Sequence, residues 1–162
     1  MLKIIIKTIF IFFLTILLKA SSENKELEIS ADTMEWKREE NIAIALGNAK
    51  AVQDNKLLYA NRIVIFFNKG VGEKKIIKLD AAGKVKFIRG DQVATGENAT
   101  YFIKSEKVVI KGNVKLQREN SIMVGEELTI DLKSSSSKLI SSNKSGKVRA
   151  KYKASERRDE KN

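Results

Sequence analysis

From Leu27 onward, apolar and polar side chains alternate with a period of two, and no stretch of the body carries the 3.6-residue stripe of an amphipathic helix. The alternation predicts strands near 27–36, 42–53, 57–67, 75–81, 84–89, 92–103, 108–117, 121–133 and 138–142, with a last one near 147–153. Proline is absent, so turns must come from Gly, Asn, Asp and Ser. Clusters of these punctuate the runs: "DNK" at 54–56, "NKGVGEK" at 68–74, "RGDQ" at 89–92, "KSEK" at 104–107 and "RENS" at 118–121. The chain reads as an all-β protein.

The runs also repeat. Gly47, Gly83 and Gly112 each precede a second small residue, Ala60, Gly96 or Gly125, by thirteen positions. Two and four places after the first glycine stand Ala49 and Ala51, Val85 and Phe87, Val114 and Leu116. Ten places after it stand Leu57, Val93 and Ile122; eighteen and twenty places after it stand Ile65 and Phe67, Tyr101 and Ile103, Ile130 and Leu132. Partial copies flank the set: "ISADTMEW", through Ala31, Met34 and Trp36, and "GKVRAKY" from Gly146. Because these offsets are even, the repeat is expected to be a strand, turn and strand with one apolar face. One hairpin cannot bury such a face, whereas several stacked in order can. The second small residue falls on the opposite parity, which predicts a bend or close backbone approach there. A closed barrel and an open two-sheet roll both satisfy the pattern. The uneven glycine spacing, 36, 29 and then 34 residues, disfavours a regular solenoid, and the open roll fits better. An open roll leaves strand edges free at both ends.

At 162 residues the chain amounts to one domain. It has neither Cys nor His, which excludes disulfides, a thiolate nucleophile, a Ser-His-Asp triad and the usual zinc ligands. No metal or cofactor is expected. The net charge of +11 is concentrated at the ends: residues 1–22 carry +3 and residues 144–162 carry +5, leaving +3 for residues 23–143. A nearly balanced body argues against nucleic acid as a partner.

The first residues, "MLKIIIKTIFIFFLTILLKASSENKE", join a basic start to an apolar run from Thr8 to Leu18 and end in small side chains, the layout of a secretory signal peptide. Cleavage is expected after Ser22, with Ala20 the competing site. The competing reading is an uncleaved inner-membrane anchor, since Leu2 to Leu18 is near the lower limit of a bilayer span. The expected organisation is a signal peptide over 1–22, a β domain over 23–153 and a disordered, mixed-charge tail over 154–162.

Three stretches, "LGNAKAVQDNKLLYANRIVIFF", "AGKVKFIRGDQVATGENATYFI" and "KGNVKLQRENSIMVGEELTIDL", resemble the OstA-like repeat of the periplasmic proteins that carry lipopolysaccharide across the Gram-negative envelope. "LEISADTMEW" looks like that family's opening strand, and the resemblance covers residues 27–153. It implies an open antiparallel β-jellyroll and a hydrophobic groove for the acyl chains of lipid A. It also implies head-to-tail joining of sheet edges into a homo-oligomer. The implied partners are lipopolysaccharide, an inner-membrane-anchored relative of the same fold and an outer-membrane translocon component carrying that fold. The layout is closest to the family's small soluble bridge proteins; the long N-terminal run keeps the anchored relative open as an alternative. No catalysis is implied.

The residues expected to line the groove are Leu27, Ile29, Met34, Trp36, Ile65, Phe67, Phe87, Tyr101, Ile103, Leu116, Ile130 and Leu132. Leu27, Phe87, Tyr101 and Ile103 rank first, because they match cavity-facing places in the family's strands. Taken one by one, an ordinary dry core explains them equally well, and a purely structural protein that polymerises through its edges would need nothing more. In the basic tail, Lys151, Lys153, Arg157 and Arg158 either meet lipid phosphates or an acidic partner, or form a solvated segment. The close carboxylate groupings, Asp32 with Glu35 and Glu126 with Glu127, fall at exposed strand positions and do not suggest an enzyme. The chain has no phosphate-binding loop of the G-x-x-x-x-G-K-[ST] type, so directional transport must draw its energy from elsewhere.

Overall fold

The structure, a computed structural model, describes residues 26–70, 72–141 and 146–153; the expected signal peptide and the tail from 154 lie outside them. The described residues form ten strands: β1 (Glu28–Ser30), β2 (Thr33–Lys37), β3 (Ile42–Gln53), β4 (Lys56–Phe67), β5 (Ile76–Arg89), β6 (Gln92–Phe102), β7 (Lys107–Arg118), β8 (Ser121–Asp131), β9 (Ser136–Ile140) and β10 (Arg149–Tyr152). All belong to one antiparallel sheet, in which β3 to β8 pair in sequence order. β1 and β2 both pair with β3 at one end, and β9 and β10 both pair with β8 at the other. The two ends do not meet, so the sheet is open.

The expected two layers are halves of this single sheet, because β3 to β8 each bend at mid-length. Register slips between Leu46 and Ala49, between Ala82 and Val85, and between Lys111 and Val114. There Gly47, Gly83 and Gly112 take φ of 75°, 77° and 82°, and the following Asn48, Lys84 and Asn113 take 45°, 50° and 47°. Two successive left-handed residues turn the strand sharply, and the first must be glycine because a Cβ there would run into the side chain of Asp32, Asn61 or Glu97. The second small residue of each repeat faces this bend. A Cβ on Gly96 would lie 2.5 Å from Ile110 Cγ2 and 3.2 Å from the Lys111 carbonyl oxygen, the close backbone approach that the pattern predicts. Asp32 secures the first corner: its N–H donates to the Gly47 carbonyl at 2.9 Å, and its carboxylate accepts from Asn48 Nδ2 at 2.9 Å.

Layer one comprises β2, β9 and the halves of β3 to β8 on their side of the bend; layer two comprises β1, β10 and the remaining halves. Two differences from the predicted strands follow from the corners. The segment 27–36 is split into β1 and β2, which pair with different halves of β3. The segments 75–81 and 84–89 are one strand, since the bulge at Gly83 bends β5 without ending its pairing. The inward parity is kept across the bend on β3, β5 and β7, and changes on β4, β6 and β8, where Leu58 and Ala60 on one side answer to Ile63 and Ile65 on the other. Leu57 and Val93 therefore lie on the outer face of layer two, and their neighbours Leu58 and Ala94 are buried inside; Ile122 follows the same phase. Counting even offsets through the two-residue turns, at Gln53–Lys56 and Arg89–Gln92, carries the wrong face onto the following strand.

Hydrogen bonds tie the layers together away from the bend. Tyr101 Oη donates to Gln53 Oε1 at 2.6 Å, and Arg89 Nη2 donates to the Leu132 carbonyl at 3.1 Å and to Ser135 Oγ at 3.0 Å. Among the described residues no buried side-chain nitrogen or oxygen lacks a partner.

Candidate functional site

Pairing aligns the inward side chains in rows across the sheet. One row of layer one runs Trp36, Ala43, Ile65, Leu79, Tyr101, Val108, Ile130; the matching row of layer two runs Ile29, Ala51, Leu58, Phe87, Ala94, Leu116, Met123. Along these rows the size of the side chains is uneven. β7 turns Val108, Ile110, Val114 and Leu116 inward, all buried, whereas β3 turns in Ala43, Ala45, Ala49 and Ala51. The interior is consequently full toward β7 and roomy beside β3.

The room is a cavity of about 260 Å³ between β1, on layer two, and β2 to β5, on layer one. Leu27, Ile29, Met34, Trp36, Ala43, Ile65, Phe67 and Ile76 line it, with Glu35 at its border. Trp36 and Phe67 stack at its mouth, with ring centroids 4.8 Å apart and planes at 30°. The small Ala43, paired with Trp36, leaves the indole free to reach Phe67. Met34 and Trp36 are 54% and 57% exposed, an unusual state for large apolar side chains on an inward face. A separate small cavity of about 10 Å³, which shares Leu27 with it, is lined by Ala51, Gln53, Lys56, Leu58, Phe87 and Tyr101 and is barely enough for one water. Burial, then the charges of Glu106 and Asp54, push the Tyr101 phenol up to about 12, so it stays neutral and keeps donating to Gln53.

The expected groove residues therefore separate into two groups. Leu27, Ile29, Met34, Trp36, Ile65 and Phe67 gather around the open cavity. Phe87 and Tyr101 line the small separate cavity, and Leu116, Ile130 and Leu132 are buried in the filled interior, with Ile103 partly buried against it. Sequence reasoning passed over Ala43 and Ile76. The alternating alanines of "IAIALGNAKA" carry the signal for the first; Ile76 lies outside the repeat offsets and has none. The carboxylate groupings are structural. Asp32 holds the first corner, and Glu127 pairs with Lys111 at 3.0 Å.

The two free edges differ in charge. Among the described residues, Glu26, Glu28, Asp32 and Glu35 stand along β1 and β2, against Lys37 and Arg38 at the end of β2; Lys138, Lys147, Arg149, Lys151 and Lys153 stand along β9 and β10 with no acid among them.

Residues 28–136 match the family described as LptA/(LptD N-terminal domain) LPS transport protein. Over 117 residues the chain is 30% identical to an uncharacterized protein of Rhizobium meliloti, covering 68% of this chain and 63% of that protein, less than two thirds of the relative's length. It is 29% identical over 129 residues to an uncharacterized protein of Rickettsia prowazekii, covering 74% of this chain and 86% of the relative. A stretch of 62 residues, 38% of this chain, is 32% identical to 9% of the LPS-assembly protein LptD of Nitrosomonas europaea. The fold is similar to the crystal structure of LptH, the LptA homologous periplasmic component of the lipopolysaccharide transport device of Pseudomonas aeruginosa. The TM-score is 0.70 at 15% identity, over 80% of this chain and 96% of that one. This likeness is one of architecture, the open β-jellyroll.

Proposed function

Because the chain belongs to the family of LptA and the LptD N-terminal domain, a family of transport proteins and not of enzymes, we propose that it is a periplasmic carrier that binds lipopolysaccharide by its acyl chains and passes it from subunit to subunit toward the outer membrane. The observation that supports this reading best is the cavity beside β3, where a row of alanines leaves apolar walls unfilled and two large apolar side chains uncovered. Leaving such surface open forgoes about 25 cal/mol per Å² until an acyl chain covers it. Leu27, Ile29, Met34, Trp36, Ile65 and Phe67 are the first contacts for the chains, and the rows leading to Phe87 and Tyr101 are the walls along which they would advance.

End-to-end assembly completes the proposal. The acidic β1–β2 edge and the basic β9–β10 edge are complementary, which favours heterologous joining over pairing of like edges and keeps the inner rows in line between subunits. The N-terminal run supplies export to the periplasm; retained, it would make the chain the anchored member of the same system.

Trp36 is the only tryptophan, so its fluorescence reports on the cavity mouth. Titration with lipopolysaccharide should give a saturable change that neither an acyl-free core saccharide nor heparin reproduces. No change, or an equal response to heparin, would overturn the carrier reading.

A further inference from the structure

Beside the acyl cavity lies a second and larger one, of about 590 Å³, lined by Trp36, Arg38, Asn41, Phe67 and Lys74. Its apolar floor is the Trp36–Phe67 stack, the same pair that forms the mouth of the acyl cavity. Its walls are cationic and come from two turns of layer one, brought together by β3–β4 pairing. Arg38 starts the turn between β2 and β3, closed by the Asn41 N–H donating to the Arg38 carbonyl at 3.1 Å. Lys74 belongs to the loop between β4 and β5, and its Nζ donates to Asn41 Oδ1 at 2.6 Å. Asn41 thus holds the Lys74 ammonium through its side chain and closes the Arg38 turn through its backbone, and its carbonyl also accepts from the Phe67 N–H at 3.0 Å. Of the neighbouring acids, Glu40 pairs with Lys37 at 3.9 Å and Glu73 with Lys75 at 3.5 Å, while Glu39 stands exposed beside Arg38, which has no ion-pair partner among the described residues.

We infer that this cavity is a head-group subsite for the phosphate monoester of an acylated lipid whose chains occupy the adjoining cavity, an inference that rests on the carrier reading. An arginine offers a planar fork that suits phosphate, and a lysine held at a fixed point adds charge beside it. The aromatic stack gives the sugar or glycerol bearing the phosphate an apolar face to lie on. An anion without acyl chains would engage only the rim, which is exposed and screened by salt.

The test uses protein recovered from expression of the full chain, followed by Trp36 fluorescence, with diphosphorylated lipid A, the same lipid dephosphorylated, and inorganic phosphate as probes. The double variant Arg38→Gln, Lys74→Gln should bind diphosphorylated lipid A roughly tenfold more weakly, in line with the loss of charge-assisted hydrogen bonds at an exposed site. Its affinity for the dephosphorylated lipid should be unchanged, and its urea midpoint should match that of the parent, since both side chains are exposed. Equal loss for both lipids, or no loss for either, would overturn the subsite while leaving the acyl reading in place. Failure of the parent protein to bind either lipid would overturn the carrier reading and the subsite with it. A response to millimolar inorganic phosphate equal to that of the lipid would overturn the link between the two cavities.

Discussion

The room beside β3 gives the same substitution opposite expected effects at two alanines of the inner face. Ala43 borders the open cavity, whereas Ala94 is 1% exposed in the row between Phe87 and Leu116, in the filled interior. Ala43→Leu adds three carbons that can enter unfilled space. At about 0.8 kcal/mol for each buried methylene the gain is at most about 2.4 kcal/mol, and about half of that is expected beside so exposed a mouth. Ala94→Leu pushes the same carbons into packed surroundings, at a cost of about 1–3 kcal/mol. Urea unfolding monitored by circular dichroism reads both changes, provided that the slope of the transition is unaltered. The midpoint should rise for Ala43→Leu and fall for Ala94→Leu. Binding of radiolabelled lipopolysaccharide should weaken for Ala43→Leu despite its greater stability. Equal destabilisation by both variants would refute the inferred space, and a stabilised Ala43→Leu that binds lipopolysaccharide as the parent does would place the acyl chains elsewhere.

Three further outcomes are expected. Gly96→Ala should destabilise the fold by about 1–3 kcal/mol in the same urea assay, because its Cβ must displace Ile110 or the backbone at the bend. Tyr101→Phe should cost about 1 kcal/mol at neutral pH through the lost hydrogen bond to Gln53. It should also flatten the alkaline limb: the unfolded chain gives up the phenolic proton near pH 10 and the folded chain near pH 12, so the Tyr101 contribution is intact below pH 10 and declines as the pH rises between these values. In sedimentation velocity, Glu28→Lys with Glu35→Lys should reduce end-to-end assembly, and raising the salt should reduce it in the parent; assembly indifferent to both would show that edge charge does not set its direction.

Strand positions were legible because alternation survives wherever one face is buried, and the corners were legible because glycine recurs where two left-handed residues must follow one another. The inward face was only partly legible. A two-residue hairpin turn reverses the inward parity, and the bend of the following strand reverses it back, so Leu57 and Val93, which lie between the two, looked like core when Leu58 and Ala94 are. The position of the cavity was hidden for another reason: alternation records which side chains point inward, and space depends on how their volumes add across strands. Ala43, Ala45, Ala49 and Ala51 are ordinary inward positions on β3, and only against fuller neighbouring strands does their smallness leave a gap. Arg38 and Lys74 were invisible as a pair, since turns carry no periodic signal and these two approach one another only after β3 and β4 have paired.

The continuous sheet limits how the molecule can move. Six strands cross the line of glycine corners, so the halves cannot slide past each other without breaking chain or ladder, and their remaining freedom is to splay about that line, as covers turn about a spine. The clasps at Gln53–Tyr101 and Arg89–Leu132 resist splaying on the side opposite the spine. β1 and β2 are short and share ladder hydrogen bonds with β3 alone, so a splay about the spine would strain the fewest bonds at this end. The end with room is thus also the end least tied by the ladder, while the filled end is held by the clasps.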